Sequence, residues 1–419
     1  MNPFASDAEE WTRDRIAEAF GCDAVERVQW LPPGFFALPG DTRVADVDAY
    51  RDGRVTGIDV SSVAAVWALD VQPGHSVVDL CCAPGAKLCL LADALHRRGT
   101  LVGVDIASHR LRSCASLMER LGVARSGSGW SVGGCSLVRA DGTKLTLDSC
   151  KNLLAKGEPT SEARAEIATG RSKKLPRKRG RRRAAEEEAK DEEDSLILDT
   201  RLLAKRRPKK LLKGSRPPTP MRATATPFWH GFSSLPPSSS SLPPVAAEDG
   251  TIPADGFDRV LVDAQCTHDG SLRHLSKYNE WGWDAFREHV LVGPEHLREL
   301  ESLQRGLLRT GFRLLRPGGK LVYSTCSLTV RQNEAVVTWL LREEPTASLV
   351  PVPRFEEALS ARLSVRSVAA SDAERWERAV RSSVPPLSAG ELPGTVRFDP
   401  LRSGTSGLFV ACISKKRDE

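Results

Sequence analysis

From Val60 onward the apolar positions of this chain alternate between two rhythms. Short runs at Val77–Leu80, Leu101–Asp105, Ser136–Asp141, Arg259–Asp263 and Lys320–Ser324 have the length and continuity of buried strands. Between them, Val60–Leu69, Ala86–Leu95, Ser108–Leu121, Glu295–Leu315 and Gln332–Arg342 carry apolar residues three or four apart, which predicts helices. Strands alternating with helices predict a parallel sheet in an α/β layered fold. Val396–Pro400 and Gly407–Ser414 read as two closing strands. Ahead of this region, Asp7–Leu31 predicts one or two short helices, with Trp11, Ile16, Phe20, Val25 and Trp30 as apolar positions. Pro32, Pro33 and Gly34 end that segment.

The rhythm stops between about Cys150 and Ala254. Arg171–Arg183 holds nine Lys or Arg residues, Glu186–Asp194 is mostly acidic, Lys205–Lys213 is basic again, and Ser233–Pro244 is rich in Ser and Pro. Such a stretch buries too little apolar surface to fold by itself, so a disordered insertion is predicted over residues 150–254. The organisation expected is an accessory segment, 1–59, and a main domain, 60–419, interrupted by that insertion. With 419 residues, 40% of them hydrophobic, the chain is long enough for one large domain with appendages.

Composition excludes several classes. Ten cysteines occur without a Cys-x-x-Cys pair, so neither a zinc site nor a thioredoxin motif is predicted. Met1–Glu10 is acidic and lacks an apolar core, unlike a secretory signal or an Arg-rich transit peptide. No run approaches the ~18 apolar residues of a membrane span. A reducing compartment follows, in which thiols stay free to react. The net charge of +6 is modest but concentrated. The two basic runs suit phosphate neutralisation, a nuclear-localisation signal or a solvated tail alike.

The candidate chemistry lies where strands end. Asp79, Leu80, Cys81, Cys82, Ala83, Pro84, Gly85, Ala86 and Lys87 follow the first strand and open a helix. Such a loop binds ligands at the carboxyl edge of an open sheet, its amides favouring an anionic group. Asp105 ends the second strand, where an acid meets ribose hydroxyls, and Asp141 ends the third, within reach of an adenine ring. The loop is not Gly-x-Gly-x-x-Gly, which favours S-adenosylmethionine over a dinucleotide. Asp263 and Cys266 follow the fourth strand and Cys326 the fifth. An acid and a thiol beside such a cofactor suit carbon methylation of a pyrimidine. A thiolate adding to carbon 6 turns carbon 5 into a nucleophile, and an acid neutralises the ring at nitrogen 3. One thiol suffices to attack, and a second would assist release. Cys89, Cys114 and Cys412 lie within apolar patterns and read as small core residues. Cys22, Cys135 and Cys150 have no functional case, and Cys81 and Cys82 read as packing residues of their loop.

These motifs, in this order, resemble the Sun-domain (Nol/Nop/Sun) RNA cytosine-5 methyltransferases. Asp79–Lys87 is similar to that family's Asp-x-Cys-Ala-Ala-Pro-Gly-Gly-Lys motif, and Asp263–Cys266 to its Asp-Ala-Pro-Cys. Ser324–Ser327, followed by Asn333 and Glu334, resembles its Thr-Cys-Ser and Asn-Glu signature, and Ser406–Ala411 its Gly-Phe-Phe-Val-Ala segment. The resemblance implies a Rossmann-like class I methyltransferase with a mostly parallel seven-stranded sheet. It implies S-adenosyl-L-methionine as cofactor and RNA, transfer or ribosomal, as partner. Cys326 would be the nucleophile and Cys266 the release cysteine. Asp263 would contact base and cofactor, and Cys81–Lys87, Asp105, Arg110 and Asp141 would line the cofactor site. The chain departs from the pattern at Gln265 (for proline), Cys82 (for alanine), Ala86 (for glycine), Thr267–Asp269 (for Ser-Gly) and Leu408 (for phenylalanine). Both cysteines and the key aspartates are kept, so activity is expected.

Two rivals share the fold. A methyltransferase of protein or of a small molecule would explain the cofactor loop but not Cys326. A non-catalytic RNA-binding or assembly protein would use the basic insertion. A monomer is expected, in nucleus or cytoplasm, the basic runs favouring the nucleus and the mitochondrion remaining open.

Overall fold

The computed structural model describes residues 11–155, 226–228, 252–352 and 388–417, apart from 33, 40–41, 97, 124–133, 290–292 and 404. Its centre is a sheet built from the unbroken apolar runs. Strands β3 (Ser76–Asp79), β4 (Thr100–Asp105), β5 (Cys135–Arg139), β7 (Phe257–Asp263) and β8 (Leu315–Thr325) are parallel, in the order β5-β4-β3-β7-β8. β12 (Leu408–Lys415) pairs antiparallel to β8. Successive residues serve opposite faces. Val77, Leu101, Leu261 and Val322 enter one apolar core, while Val78, Val102, Val262 and Tyr323 enter the other. Burial on both faces explains why these strands read as continuous rather than alternating.

The first core is closed by helices α3 (Val60–Ala68), α4 (Ala86–Ala94) and α5 (Ser108–Arg120). The second is closed by α6 (Leu147–Ala155), α10 (Pro294–Leu314) and α11 (Glu334–Glu343). Gly311 lets α10 lie close on the sheet, since a Cβ there would meet Val262 and Leu321 at 2.9 and 3.0 Å. The outer edge of β12 is covered twice. β11 (Val396–Phe398) pairs with its first half and β9 (Ala347–Val350) with its second, and β10 (Ser388–Ala389) lies beyond β11. The sheet therefore has eight strand positions and nine strands, where seven strands were expected, because β9 and β10 add to its antiparallel edge. From β3 the chain runs outward through β4 and β5, then returns to the other side of β3 as β7. Strand order reverses between β3 and β7, and a ligand crevice forms at the carboxyl ends of such strands.

The N-terminal segment holds one of the one or two helices expected, and a hairpin that was not. A single helix, α1 (Arg13–Phe20), ends at Gly21 in the left-handed region (φ 58°), as helix stops commonly do. A hairpin of β1 (Glu26–Arg27) and β2 (Phe36–Leu38) follows instead of a second helix. Phe36 and Leu38 pack on Trp11 and Ile16, while Phe35 and Ala37 enter the core beneath the main sheet. That alternation ties the segment to the domain. A four-residue helical turn, α2 (Asp48–Arg51), follows.

Residues 150–155, expected within the insertion, are helical. Leu147, Cys150 and Leu154 recur at helical spacing and continue α6 to Ala155. β6 (Thr226–Phe228) also lies inside the predicted stretch and pairs with β2. The remainder, 156–225 and 229–251, lies outside the described residues. Three short helices, α7 (Leu272–Leu275), α8 (Tyr278–Trp281) and α9 (Trp283–His289), fill the connection after β7.

Charged groups are buried at the amino-terminal ends of the central strands. Asp258 accepts the Ser76 amide and hydroxyl, each at 2.8 Å, and pairs with Arg316. Arg259 donates to the Asp70 carbonyl at 3.1 Å, and Lys320 lies 3.2 Å from the Asp70 carboxylate. Burial and these three cations hold the His75 imidazole far below its ordinary value, so it stays neutral.

Candidate active site

Three acids at the carboxyl edge are fixed by the turn that follows their strand, and the fourth, Asp263, by side chains of neighbouring elements. Asp79 is buried at the end of β3 and accepts the Cys81 amide at 3.1 Å. Asp105 ends β4, accepts the Ala107 amide at 2.9 Å and lies 3.6 Å from Arg110. Arg110 also donates to the Ala83 carbonyl at 2.8 Å, which clamps the loop after β3 to the helix after β4. Asp263 ends β7 with Lys87 Nζ at 2.7 Å and the Ser324 hydroxyl at 2.7 Å. Lys87 donates to Ser62 at 3.1 Å as well, so one ammonium joins α3, α4 and β7. Burial pushes the Asp79 carboxyl up to about 7, with Asp263 and Asp105 adding to the rise against the Cys81 amide and Lys87. Burial opposes the Lys87 charge, yet Asp263, Cys326 and Asp79 outweigh it and raise its value. Asp141 follows β5 and turns on itself, accepting Thr143 Oγ1 at 2.7 Å and the Thr143 amide at 3.0 Å. Those bonds and Lys144 lower its value against partial burial.

The loop from Cys81 to Lys87 divides its work. Cys82 sends its amide to the Val104 carbonyl and its side chain into the core, so it packs rather than faces the crevice. Gly85 has φ 106°, and a Cβ there would meet Cys114 Sγ at 2.7 Å, so only glycine suits the turn. Ala86 is the first residue of α4, which explains why alanine replaces the family's glycine without strain. Ile106, after Asp105, is exposed at 45% and offers an apolar face beside the acid.

The two thiols meet. Cys266 Sγ lies 3.4 Å from Cys326 Sγ, and His268 Nδ1 lies 3.0 Å from Cys326 Sγ and 3.7 Å from Cys266 Sγ. The Cys326 hydrogen bond and the facing imidazole draw the first proton from the pair easily, which lowers Cys266 below an ordinary thiol. Sharing that bond, together with burial, holds the second proton on Cys326. The pair therefore carries one negative charge near neutrality, with the remaining proton between two sulfurs. Burial disfavours a charged His268, but the Cys266 thiolate and Asp263 outweigh it and raise the imidazole.

A buried polar network holds both thiol loops. Gln332 donates to Thr267 at 2.9 Å, Ser327 at 3.0 Å and Thr329 at 3.0 Å, and accepts the Thr267 amide at 3.1 Å. Thr325 donates to Asn333 at 2.6 Å, and Asn333 to the Ser327 carbonyl at 2.8 Å. Glu334 pairs with Arg397 at 2.5 Å. The Asn-Glu signature thus supports the Cys326 loop from behind. Gln304 on α10 donates to the Gln265 carbonyl at 2.8 Å, a tether where the family pattern has proline.

Of the residues predicted for the site, Asp79, Asp105, Asp263, Lys87, Arg110, Cys266 and Cys326 meet at one edge. Asp141 shares that edge two strands from β3. Sequence reasoning missed Ser62, Gln304 and Gln332, each of which has a partner far along the chain. The only signal for His268 was its departure from the Ser-Gly pattern.

A mostly parallel sheet with the strand order above, flanked by helices and edged with acids, is the Rossmann-like fold of class I methyltransferases. The family model for 16S rRNA methyltransferase RsmB/F matches residues 66–148 and 244–414, and the chain belongs to that family. Ribosomal RNA small subunit methyltransferase F of Klebsiella pneumoniae (strain 342) is 39% identical over 93 residues, covering 22% of this chain and 17% of that protein. The Escherichia coli (strain K12) protein of the same name is 41% identical over 91 residues, with the same coverage. The matched stretch is thus less than a fifth of either relative. The crystal structure of PH0851 superposes with a TM-score of 0.54 at 20% identity, covering 97% of this chain and 57% of that one, a likeness of fold.

Proposed function

We propose that the chain transfers a methyl group from S-adenosylmethionine to carbon 5 of a cytosine in RNA, through a covalent bond between Cys326 and carbon 6. The observation that carries this reading is the Cys266–Cys326 pair, 3.4 Å apart, beside an acid that ends the neighbouring strand. A methyltransferase of oxygen or nitrogen has no use for two thiols there. Ribosomal RNA is the favoured substrate, because the relatives above bear that name and the family is described by it.

The residues present fit this cofactor. Asp263 and Asp105 add to the cost of ionising buried Asp79 at an edge where Lys87 and Arg110 are the nearby cations. A ligand with ammonium and sulfonium charges relieves that excess. When bound, it supplies an electrophilic methyl group. Asp105, at the end of β4, suits ribose hydroxyls, and exposed Ile106 suits an adenine face. Asp263, hydrogen-bonded to the Lys87 ammonium, can relay a proton from it to nitrogen 3 as Cys326 adds to the ring, and return that proton as the adduct breaks down. Cys266 takes the carbon-5 proton, after which the bond from Cys326 to carbon 6 breaks. The cytosine must be single-stranded or flipped, since both carbons are approached from the ring face.

Purified protein incubated with methyl-labelled S-adenosylmethionine and ribosomal RNA lacking the modification tests this. Label is expected in RNA as 5-methylcytosine and is expected to be lost in Cys326→Ala, with cofactor binding retained. Cys266→Ala is expected to accumulate a protein–RNA adduct that survives denaturation. Full activity in Cys326→Ala would remove the assigned nucleophile. Cofactor binding without label in any RNA would favour the non-catalytic reading.

A further inference from the structure

His268 is absent from the family pattern at this point, where Thr267–Asp269 stands for Ser-Gly. Its position is nonetheless constrained. It adopts φ 56°, a region that β-carbon residues rarely visit outside tight turns. The turn is held from both sides, since Ser271 N donates to the His268 carbonyl at 3.0 Å and Gly270 N to the Cys326 carbonyl at 2.9 Å. The ring stacks on His274, with centroids 4.6 Å apart, and His274 is itself fixed by Ser271 Oγ at 2.8 Å. Burial and the neighbouring cations lower His274 to about 4, so it packs as a neutral ring. This turn and stack place Nδ1 between the two sulfurs, nearer to Cys326.

We propose that His268 is a further catalytic residue, the base that accepts the Cys326 thiol proton and returns it when the adduct is released. The proposal rests on the methyltransferase reading of the site and deepens it. The Cys326 S–H bond breaks, its proton passes to Nδ1, and the electron pair left on sulfur forms the bond to carbon 6. Cys266 accepts the carbon-5 proton after methylation. The bond to carbon 6 then breaks, its pair returns to Cys326, and the imidazolium restores the thiol. The groups facing His268 are Cys266, Asp263 and Arg110, with His274 on its stacked face and Lys87 acting on Cys326. The thiolate and Asp263 favour the imidazolium, and Arg110 and burial oppose it. The Cys266 thiolate and burial hold the proton on Cys326, so a base within hydrogen-bond distance of its sulfur is needed to form the nucleophile.

The test reads thiol chemistry apart from methyl transfer. The rate of iodoacetamide modification of Cys326, followed by mass spectrometry of its peptide, is measured against pH in the full chain. The variants are His268→Asn and His268→Gly, since Asn and Gly both tolerate a positive φ. The wild-type profile is expected to rise at a lower pH than that of His268→Asn by about one unit or more. Methyl transfer in His268→Asn is expected to fall by roughly 10²-fold or more, the scale of a lost general base. Imidazole added to His268→Gly is expected to restore modification at low pH, which no merely structural role predicts. Identical profiles for wild type and His268→Asn overturn the proposal, as does a His268→Gly profile that added imidazole leaves unchanged. If RNA is never methylated but the profiles differ as stated, the pairing stands and the methylation reading falls.

Discussion

Asp79 is buried, accepts a single backbone amide in the structure, and has a carboxyl pushed up to about 7 by burial and neighbouring acids. The folded state therefore keeps a proton that the unfolded chain has lost over the interval from the ordinary carboxylate value to about 7. Its contribution to stability is full below that interval, falls as pH rises through it, and is flat above. Asp79→Asn keeps the amide acceptor and loses the titration. Its melting temperature is expected to fall less between pH 5 and pH 7.5 than that of the wild type, measured by calorimetry. Cofactor affinity has the opposite sign. A cationic ligand favours the ionised carboxyl, so S-adenosylmethionine should bind more tightly as pH rises through about 7, with proton release. Binding that releases no proton in buffers of different ionisation enthalpy would sink this reading. At this scale the sequence was informative wherever a residue's role follows from its own strand end, as at Asp79, Asp105, Asp263 and both thiols. It was silent on Ser62, Gln304 and Gln332, because a side chain that supports a distant loop leaves no local pattern.

The elements that position the thiols are two loops pinched together by glycines. A Cβ on Gly270 would lie 2.7 Å from the Cys326 carbonyl and 3.2 Å from Gly407 Cα, and one on Gly407 would lie 3.0 Å from Gly270 Cα. Gly407 N donates to the Gly270 carbonyl at 2.7 Å, so the start of β12 closes over the Cys266 loop. Backbone atoms cannot yield as side-chain ends do, so Gly270→Ala must displace the Cys326 turn. Its turnover is expected to drop by roughly 10- to 100-fold, the scale of a misplacement near 1 Å. S-adenosylmethionine affinity is expected to change less than about twofold, because the cofactor loop lies on other strands. Single-turnover kinetics and titration calorimetry read the two effects, and wild-type turnover would show that the pinch does not hold the nucleophile. The long helices and central strands were legible because each supplies its own apolar rhythm. β9 and β10, with four and two residues, are too short to show a period, and they form on the open edges that β12 and β11 offer. The helices α7 to α9 escaped notice for a related reason. Gly282 (φ 88°) interrupts a polar–aromatic stretch with no single apolar face.

Across the whole molecule the sheet carries two buried charge clusters of opposite bias. At the amino-terminal end Arg259, Arg316 and Lys320 face Asp70 and Asp258. At the carboxyl end Asp79, Asp105 and Asp263 face Lys87 and Arg110. In the first cluster each acid has its own cation, and Ser76 adds two hydrogen bonds to Asp258, so the pairs serve the fold. The second keeps an excess of acid that only an added cation satisfies. The two ends should respond differently to the same kind of lesion. Arg316→Leu leaves Asp258 buried and unpaired, a change that typically costs ~3–5 kcal/mol. Its unfolding midpoint in denaturant should fall accordingly, while cofactor affinity at low temperature stays near wild type. Adding Asp258→Asn removes the orphaned charge and should recover part of the loss. Lys87→Met deletes a charge at the other end and makes Asp263 face Asp79 without its ammonium. Cofactor binding or methyl transfer should suffer there more than the midpoint does. Equal loss of stability and of binding in both variants would show that the two ends are not separable.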